Sequence, residues 1–307
     1  MFLVSIVLTK LSFKCNLIHF LQRAISLYQE RLGLSGEYQK KLGSWENIDT
    51  IPINQTRDSG GLVYKSAIAL KLAPVFQQPV TDIAQELGKC CMELVNTEIS
   101  KDIENFQVEV ISSGMIYFKL TDLSIANWLN YLTSANLISE QENLQMGVNF
   151  QLIEPTSLFS IQYSHARCCS LLRMGESDRL ISLIPTARNT CDQLWLIQTP
   201  NPIPWQQQNG RLQFLHHGEC KLISELAFTL DYIYCISGTK KAVNWEKVAD
   251  NLSVAFQNFY SHCRIFGAVK VETPKLAQAR LGLVLATQSV LKYLLEEKLG
   301  VEALIEF

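Results

Sequence analysis

The sequence predicts an α+β half followed by an all-α half. For the first half, apolar and polar residues alternate over 106–110, and an apolar run at 115–120 follows a Ser-Ser-Gly turn, which is typical of a β-hairpin. For the second half, apolar residues downstream of Phe159 recur at helical spacing, without comparable alternation. At 307 residues the chain is long enough for two domains, each with its own core.

The first half combines this short antiparallel sheet with helices. Residues 61–72 carry apolar positions dense enough for a helix with one buried face. Pro79 then opens a second helix, because its fixed φ suits a first helical position. After the hairpin, Thr121 caps a third helix that runs to about Leu132.

The second half reads as a helical bundle. Helices are predicted over residues 161–174, 220–234 and 243–260. The last helix is the best defined, because Thr273 suits the N-cap and Pro274 the first position. Gly300 suits the C′ position, so this helix has about 25 residues.

A stretch without periodicity separates the two halves and contains Gly147 and Pro155, which is typical of a linker. We therefore expect four segments in chain order: an N-terminal helical extension (1–44), an α+β domain (45–135), a linker (136–158) and a helical domain (159–307).

Composition excludes some classes of protein. With 27 basic and 29 acidic residues the net charge is −2, which excludes a disordered charged tail and a protein that binds nucleic acid by bulk charge. Any nucleic-acid partner must then be met by a local patch. Nine cysteines without a C-x-x-C pattern are typical of reduced intracellular thiols.

The apolar start of the chain does not predict a membrane span. Lys10 and Lys14 interrupt it, which leaves far fewer than the roughly 20 apolar residues that a bilayer helix needs. It also lacks the basic start and cleavage site of a signal peptide. We expect a packed helix here, a soluble cytoplasmic protein and no membrane partner.

Residue patterns typical of catalysis are absent from the sequence. It contains no phosphate-binding G-x-x-x-x-G-K-[ST] loop, no G-x-G-x-x-G, no G-x-S-x-G and no H-E-x-x-H. His165, Cys168 and Cys169 lack a second ligand pair for a metal, so we expect them in the core. We therefore predict no catalytic residue, no metal and no cofactor.

Two aromatic–basic clusters predict binding instead. Tyr163, Arg167 and Ser170 share one helix face, where an arginine and a ring can hold a phosphate and a base together. Tyr260 and Arg264 form a second cluster at a helix end. The alternative for each is a buried ring with an arginine at its edge.

The first cluster lies in a recognisable motif. The segment IQYSHARCCSLLR (161–173) resembles the opening of the DALR anticodon-binding domain of arginyl-tRNA synthetases, Q-Y-A-H-A-R followed by I-x-S-I-L-R, with Ser164 in place of the usual alanine. FQNFYSHCRIFG (256–267) resembles the family's F-x-x-F-Y-x-x-C-x-V, and residues 279–303 resemble its final helix.

The first half resembles the N-terminal additional domain of the same synthetases. The corresponding pieces are residues 67–73, 79–84 and EVISSGMIYFKL (109–120). A synthetase would carry a Rossmann-type catalytic core between the two domains, with an H-I-G-H-like and usually a K-M-S-K-S-like signature, and neither signature occurs here. The resemblance therefore implies a tRNA-binding protein that does not aminoacylate by itself.

The resemblance also implies which side chains contact tRNA. Anticodon contacts are expected from Tyr163, Arg167, Tyr260 and Phe307, and phosphate contacts from Arg173, Arg264 and Arg280. Weaker contacts to the outer corner of tRNA are expected from Met115 and Tyr117, which replace the family's aromatic and amide residues. Family members often end in methionine where this chain has Phe307, and either side chain can stack on a base.

Three hypotheses follow. The first is a non-catalytic tRNA-binding protein, with arginine tRNA as its partner. The second is a protein-interaction or regulatory module that kept the fold and lost RNA binding. The third is a tRNA-binding part of an arginine–tRNA ligase whose catalytic core is a separate chain.

Overall fold

The computed structural model describes residues 10–33, 50–56, 61–97, 106–134, 154–185, 195–235 and 243–306. The chain divides into two compact units: unit 1 comprises Met1–Ile125 and Leu230–Lys241, and unit 2 comprises Ala126–Thr229 and Ala242–Phe307. Most of the predicted linker lies outside the described residues, so the four predicted segments stay a prediction.

Unit 1 contains a four-stranded antiparallel sheet with helices. Its elements are α1 (Phe13–Arg31), β1 (Ile53–Gln55), β2 (Val63–Ser66), α2 (Ile68–Phe76), α3 (Val80–Thr97), β3 (Phe106–Val110) and β4 (Ile116–Leu120). The strand order is β1-β2-β4-β3. The predicted hairpin is confirmed, with Phe106 opposite Leu120 and Val110 opposite Ile116.

Aromatic side chains fill the core of unit 1. The Phe106 ring packs edge-on against Phe20 of α1 and Phe118 of β4, at centroid distances of 4.9 and 5.4 Å. Helix α3 lies close to β3, because a Cβ at Gly88 would meet Val110 Cγ2 at 2.9 Å. The predicted packed helix near the start of the chain is α1, and none of the helices within the described residues is long and apolar enough to cross a membrane.

A buried carboxylate near the end of the helix His217–Tyr234 connects this part of the chain to the rest of unit 1. Asp231 Oδ1 accepts hydrogen bonds from Ser12 Oγ at 2.7 Å and from the Lys14 backbone N–H at 3.0 Å. Asp231 Oδ2 accepts one from Tyr64 Oη at 2.6 Å. Burial raises the pKa of Asp231 to about 6, although these hydrogen bonds favour the charged form. Three distant parts of the chain, at Ser12–Lys14, Tyr64 and Asp231, therefore meet at one titratable group.

The predicted helix at 61–72 is only partly correct. Strand β2 occupies Val63–Ser66, and helix α2 begins at Ile68. The apolar residues before Ile68 serve a central strand, which pairs with β1 on one side and β4 on the other. In β2, Tyr64 and Ser66 are buried and Lys65 between them is exposed. Because one of the two buried residues is a polar serine, the sequence shows no apolar–polar alternation here.

Unit 2 is mainly helical. Its elements are α4 (Asp122–Ser134), α5 (Pro155–Ser177), β5 (Ser182–Pro185), β6 (Trp195–Thr199), α6 (His217–Tyr234), α7 (Trp245–His262), α8 (Ala268–Glu272), α9 (Pro274–Tyr293) and a π-helical turn at Leu294–Lys298. Helix α4 begins in unit 1 and α6 ends in it. Thr121 Oγ1 accepts from the Ser124 N–H at 3.2 Å, which confirms the predicted cap of α4.

The core of unit 2 forms around α9, which packs against α5 and α7. Every residue of α9 from Ala279 to Tyr293 is buried. Two glycines permit the closest contacts: a Cβ at Gly282 would lie 2.4 Å from Trp205 Cη2, and a Cβ at Gly175 would lie 2.7 Å from Leu281 Cδ1. Trp205 Nε1 donates to Asn130 Oδ1 at 2.7 Å, which fixes the ring in this position.

The predicted fold class is confirmed, with one addition. Strands β5 and β6 form a two-stranded antiparallel sheet that the all-α prediction does not contain. Neither strand alternates between buried and exposed residues along its length, so the sequence has no period of two here to indicate a strand.

The C-terminal end of the last helix matches the prediction, whereas the predicted side-chain cap at its N-terminal end does not form. Gly300 has φ +66°, as expected for a C′ glycine. Thr273 occupies the N-cap position without capping the helix through its side chain, since its hydroxyl donates to the Val269 carbonyl at 3.3 Å. Residues 274–298 are continuous helix including the π-helical turn, in agreement with the predicted length.

Candidate nucleic-acid interface

One face of α5 lines a groove of about 300 Å³ in unit 2. The predicted residues Tyr163, Arg167 and Ser170 lie on this face, and Arg173 extends it by about one turn. The remaining lining residues are Ala166, Ile305 and Glu306. Tyr163 is 42% exposed and stacks on Phe159 with the rings 6.3 Å apart, so an aromatic surface lies beside the arginines.

The structure brings the two predicted clusters together at Arg167 and Tyr260. Arg167 Nη2 donates to Tyr260 Oη, and the guanidinium carbon lies 4.7 Å from the Tyr260 ring centroid. The Tyr260 ring also packs against Phe256, with the two rings nearly parallel and their centroids 6.3 Å apart. A cation held over a ring and by its hydroxyl loses little further entropy when it binds a ligand.

Arg173 is engaged by residues 301–306, which we call the terminal segment. Arg173 Nη2 donates to the Ile305 carbonyl at 3.3 Å and lies 3.3 Å from Glu306 Oε1. The Glu306 side chain is 74% exposed, and exposed ion pairs contribute about 0–1 kcal/mol, so a phosphate can replace this carboxylate at small cost.

Two other side chains of α5 hold the terminal segment. Gln162 Nε2 donates to the Glu302 carbonyl at 3.2 Å, and His165 Nδ1 lies 2.8 Å from the Leu304 carbonyl. The sequence placed His165 in the core, and it is fully buried, but its contact with this segment was not predicted. The only feature of the sequence that could have indicated this contact was the match of Gln162 and His165 to the family motif.

The expected phosphate contact of Arg280 is wrong. The residue is buried, its Nε lies 2.7 Å from Glu219 Oε1, and its Nη1 donates to the Arg264 carbonyl. Glu219 Oε2 in turn accepts from two backbone N–H groups at the start of α6, those of Leu215 and His216. Arg280 therefore links α9, α6 and the end of α7, and its charge is already neutralised inside the protein.

The other predicted contacts have different outcomes. The Arg264 side chain is exposed directly after α7 but does not line the groove. Phe307 lies outside the described residues. Met115 and Tyr117 belong to unit 1, where Tyr117 is half-buried on β4 between Lys65 and Glu109 of the neighbouring strands. A contact of these residues with tRNA stays a prediction.

His216 and Cys263 form a further cluster at the start of α6. His216 Nδ1 accepts from the Gly218 N–H at 3.0 Å and lies 3.3 Å from Cys263 Sγ, while its ring stacks on His262. Burial raises the pKa of Cys263 to about 11, so it is a thiol at neutral pH and a weak nucleophile. Within the described residues, no group of three His, Cys, Asp or Glu side chains is placed to hold a metal ion.

Comparison with known proteins identifies the helical unit. Residues 161–306 match the model of the DALR anticodon binding domain. The chain is also similar to curated proteins: it is 31% identical over 143 residues to the arginine–tRNA ligase of Synechococcus sp. and 30% identical over 146 residues to that of Moorella thermoacetica. These alignments cover 47% and 48% of this chain. No solved structure matches the chain significantly.

The groove therefore lies in a DALR anticodon-binding domain, which begins within α5 and includes the terminal segment. Through this domain the chain is an arginyl-tRNA synthetase-related protein. The match spans about a fifth of the length of these relatives, 21% in both cases.

Proposed function

We propose that this chain is a non-catalytic tRNA-binding protein whose groove on α5 holds the anticodon region of a tRNA, with arginine tRNA as the preferred partner. The observation that carries the proposal is that Tyr163, Arg167 and Arg173 line one groove of a DALR domain. Tyr260 contributes by holding Arg167. Reduced thiols are consistent with action in the cytoplasm, where we place the protein.

The groove offers the two interactions that single-stranded RNA needs. An unstacked base can lie on the exposed ring of Tyr163, and stacking on an aromatic side chain contributes about 1–3 kcal/mol per base. Arg173 lies at the other end, where exchange of Glu306 for a phosphate leaves its charge paired. Arg167 is pre-positioned between them by Tyr260. Bases and phosphates are then contacted by different residues, so specificity and affinity can be separated by mutation.

The proposal that the chain does not catalyse rests on its sequence and on the extent of the match. Neither catalytic signature of the synthetases occurs in the 307 residues, and the alignments to the ligases span only about a fifth of the length of those proteins, 21% in both cases. Aminoacylation of arginine tRNA by the purified chain alone, with ATP and arginine supplied, would overturn this part of the proposal.

The binding proposal is tested by equilibrium titration with arginine tRNA. Tyr163→Ala is expected to weaken binding by about 5- to 150-fold, because stacking worth about 1–3 kcal/mol is lost. Tyr232→Ala is the matched control, since Tyr232 is 40% exposed but lies in unit 1. Unchanged affinity in the double variant Tyr163→Ala with Arg167→Ala would contradict the proposal.

Arg173→Ala tests the phosphate contact. It is expected to weaken binding to all tRNAs equally and to reduce the slope of log affinity against log salt by about 0.7 to 0.9, one phosphate contact. Arg211→Ala is the control, an exposed arginine of unit 2 outside the groove. An equal loss of slope in both variants would show that general charge, rather than the groove, contacts the RNA.

A second candidate is a protein-interaction module. It is favoured by the ion pairs that neutralise Arg173 and Arg280 with Glu306 and Glu219. A partner captured by this chain after nuclease treatment, together with no tRNA binding at low salt, would replace the first proposal with this one. A separate catalytic chain that aminoacylates only in its presence would instead identify a part of a two-chain ligase.

A further inference from the structure

The terminal segment has no regular secondary structure and is held mainly by α5. Its backbone makes one hydrogen bond to the preceding helix, from the Val301 N–H to the Leu295 carbonyl at 2.8 Å. The Glu302, Leu304 and Ile305 carbonyls accept from side chains of α5. Ile305 and Glu306 line the groove together with Tyr163 and Arg167. The shape of the groove thus depends on what holds this segment.

His165 makes the shortest of these hydrogen bonds, and its second nitrogen determines how it does so. His165 is fully buried, and Nε2 lies 2.9 Å from Gln288 Nε2, which can only donate. Nε2 of His165 is therefore the acceptor, and the proton must reside on Nδ1, 2.8 Å from the Leu304 carbonyl. Gln288 is also fully buried and selects the one neutral form of the ring that can donate to the segment.

Two further observations agree with this arrangement. Burial lowers the pKa of His165 to about 4, so the ring is neutral at physiological pH, as its two hydrogen bonds require. Gln288 Oε1 has no hydrogen-bond partner among the described residues. Reversing the amide would give Oε1 to His165 Nε2, but the neutral ring would then lack a proton on Nδ1 for Leu304.

We propose that His165 is a positioning residue: Gln288 fixes its Nδ1–H tautomer, and this N–H holds the terminal segment against α5 so that Ile305 and Glu306 complete the RNA-binding groove. The effect on RNA rests on the proposed function, whereas the effect on the segment does not. His165 does not line the groove, so it acts on a ligand only through the segment.

Two amide substitutions separate the roles of the two nitrogens. In His165→Asn, Nδ2 is bonded to Cγ as Nδ1 of histidine is, so it can still donate to the Leu304 carbonyl. In His165→Gln, the amide reaches the position of Nε2, so it retains the contact with Gln288 and loses the donor to Leu304. Both variants lose the imidazole ring from the same buried site. Any difference between them therefore reflects the position of the remaining amide rather than the loss of the ring.

The first readout is hydrogen exchange of the Val301 amide in the full chain, measured by NMR, because this N–H donates to the Leu295 carbonyl and is protected while the terminal segment is held in place. Exchange in His165→Gln is expected to be about tenfold faster than in the parent, the ratio expected from loss of one hydrogen bond. His165→Asn is expected to remain within about threefold of the parent. Equal acceleration in both variants, or in neither, would overturn the proposal.

The second readout is affinity for arginine tRNA. His165→Gln is expected to lose about tenfold and His165→Asn little, and in a variant ending at Gly300 neither substitution is expected to change affinity further. A further loss in that shortened variant would show that His165 does not act through the segment and would overturn the proposal. If the parent binds no tRNA but the hydrogen-exchange rates of the two variants still differ, the proposed function is refuted and the positioning role of His165 is supported.

Discussion

Replacement of Asp231 by asparagine tests the energetics of unit 1 most sharply. The carboxylate is buried and its pKa is raised from the ordinary 3.8 to about 6, because burial disfavours the charge more than three hydrogen bonds favour it. The folded state thus binds a proton between about pH 4 and pH 6 that the unfolded state has released. The free energy of unfolding therefore falls as pH rises through this window, by about 3 kcal/mol in total.

Asparagine can keep the same three partners without a charge. Its Oδ1 can accept from Ser12 and Lys14 as in the parent, and its Nδ2–H can donate to the Tyr64 hydroxyl oxygen. Asp231→Asn should therefore abolish the contribution of this site to the pH dependence while the fold persists.

The assay is urea denaturation of the parent and of Asp231→Asn at pH 4, 5, 6 and 7, followed by circular dichroism. The free energy of unfolding of the parent, minus that of the variant, is expected to fall by about 2.3 kcal/mol from pH 4 to pH 7, because Asp231 of the unfolded chain is still partly protonated at pH 4. Asp82→Asn, which removes an exposed carboxylate on α3, is the control. A difference that is constant with pH, or that grows as pH rises, would refute the reasoning.

Two further substitutions test the packing of unit 2 by urea denaturation. Arg280→Ala is expected to lower the free energy of unfolding by about 3–5 kcal/mol, because it leaves Glu219 buried without its ion pair. If the variant instead kept its stability and lost tRNA affinity, the phosphate contact expected from the sequence would be correct. Gly282→Ala is expected to cost about 1–3 kcal/mol, because its Cβ would meet Trp205 at 2.4 Å. Gly210→Ala is its control: no atom lies near its added Cβ, although its φ of +78° carries a smaller backbone cost, and an equal loss in both variants would contradict the packing explanation.

Local signals predicted the elements of the fold that depend on local chemistry. The alternation at 106–110 and the turn before 115–120 identified the hairpin, and Pro274 with Gly300 identified both ends of the last helix. The strand at Val63–Ser66 was missed because it forms by hydrogen bonding to two other strands, and one of these, β4, lies about 50 residues later in the chain. Local sequence contains no record of such pairing.

The candidate site shows the same division. The helical spacing of Tyr163, Arg167 and Ser170 placed them on one face, and all three line the groove. The sequence did not predict the ion pair of Arg280 or the hydrogen bond of His165, because the partners are distant along the chain. Glu219 lies 61 residues from Arg280, and Leu304 lies 139 residues from His165. Sequence alone does not distinguish an arginine that forms an ion pair inside the protein from one that is exposed and can bind a phosphate.

The central claim is that this chain retains recognition of a tRNA through its DALR domain. The most direct measurement is equilibrium binding of the purified chain to arginine tRNA and to several other tRNAs, at two salt concentrations. We expect submicromolar binding to arginine tRNA, a clear preference over the others and an affinity that falls as salt rises. Equal affinity for all tRNAs would indicate phosphate contacts without base recognition, and no binding at low salt would contradict the claim.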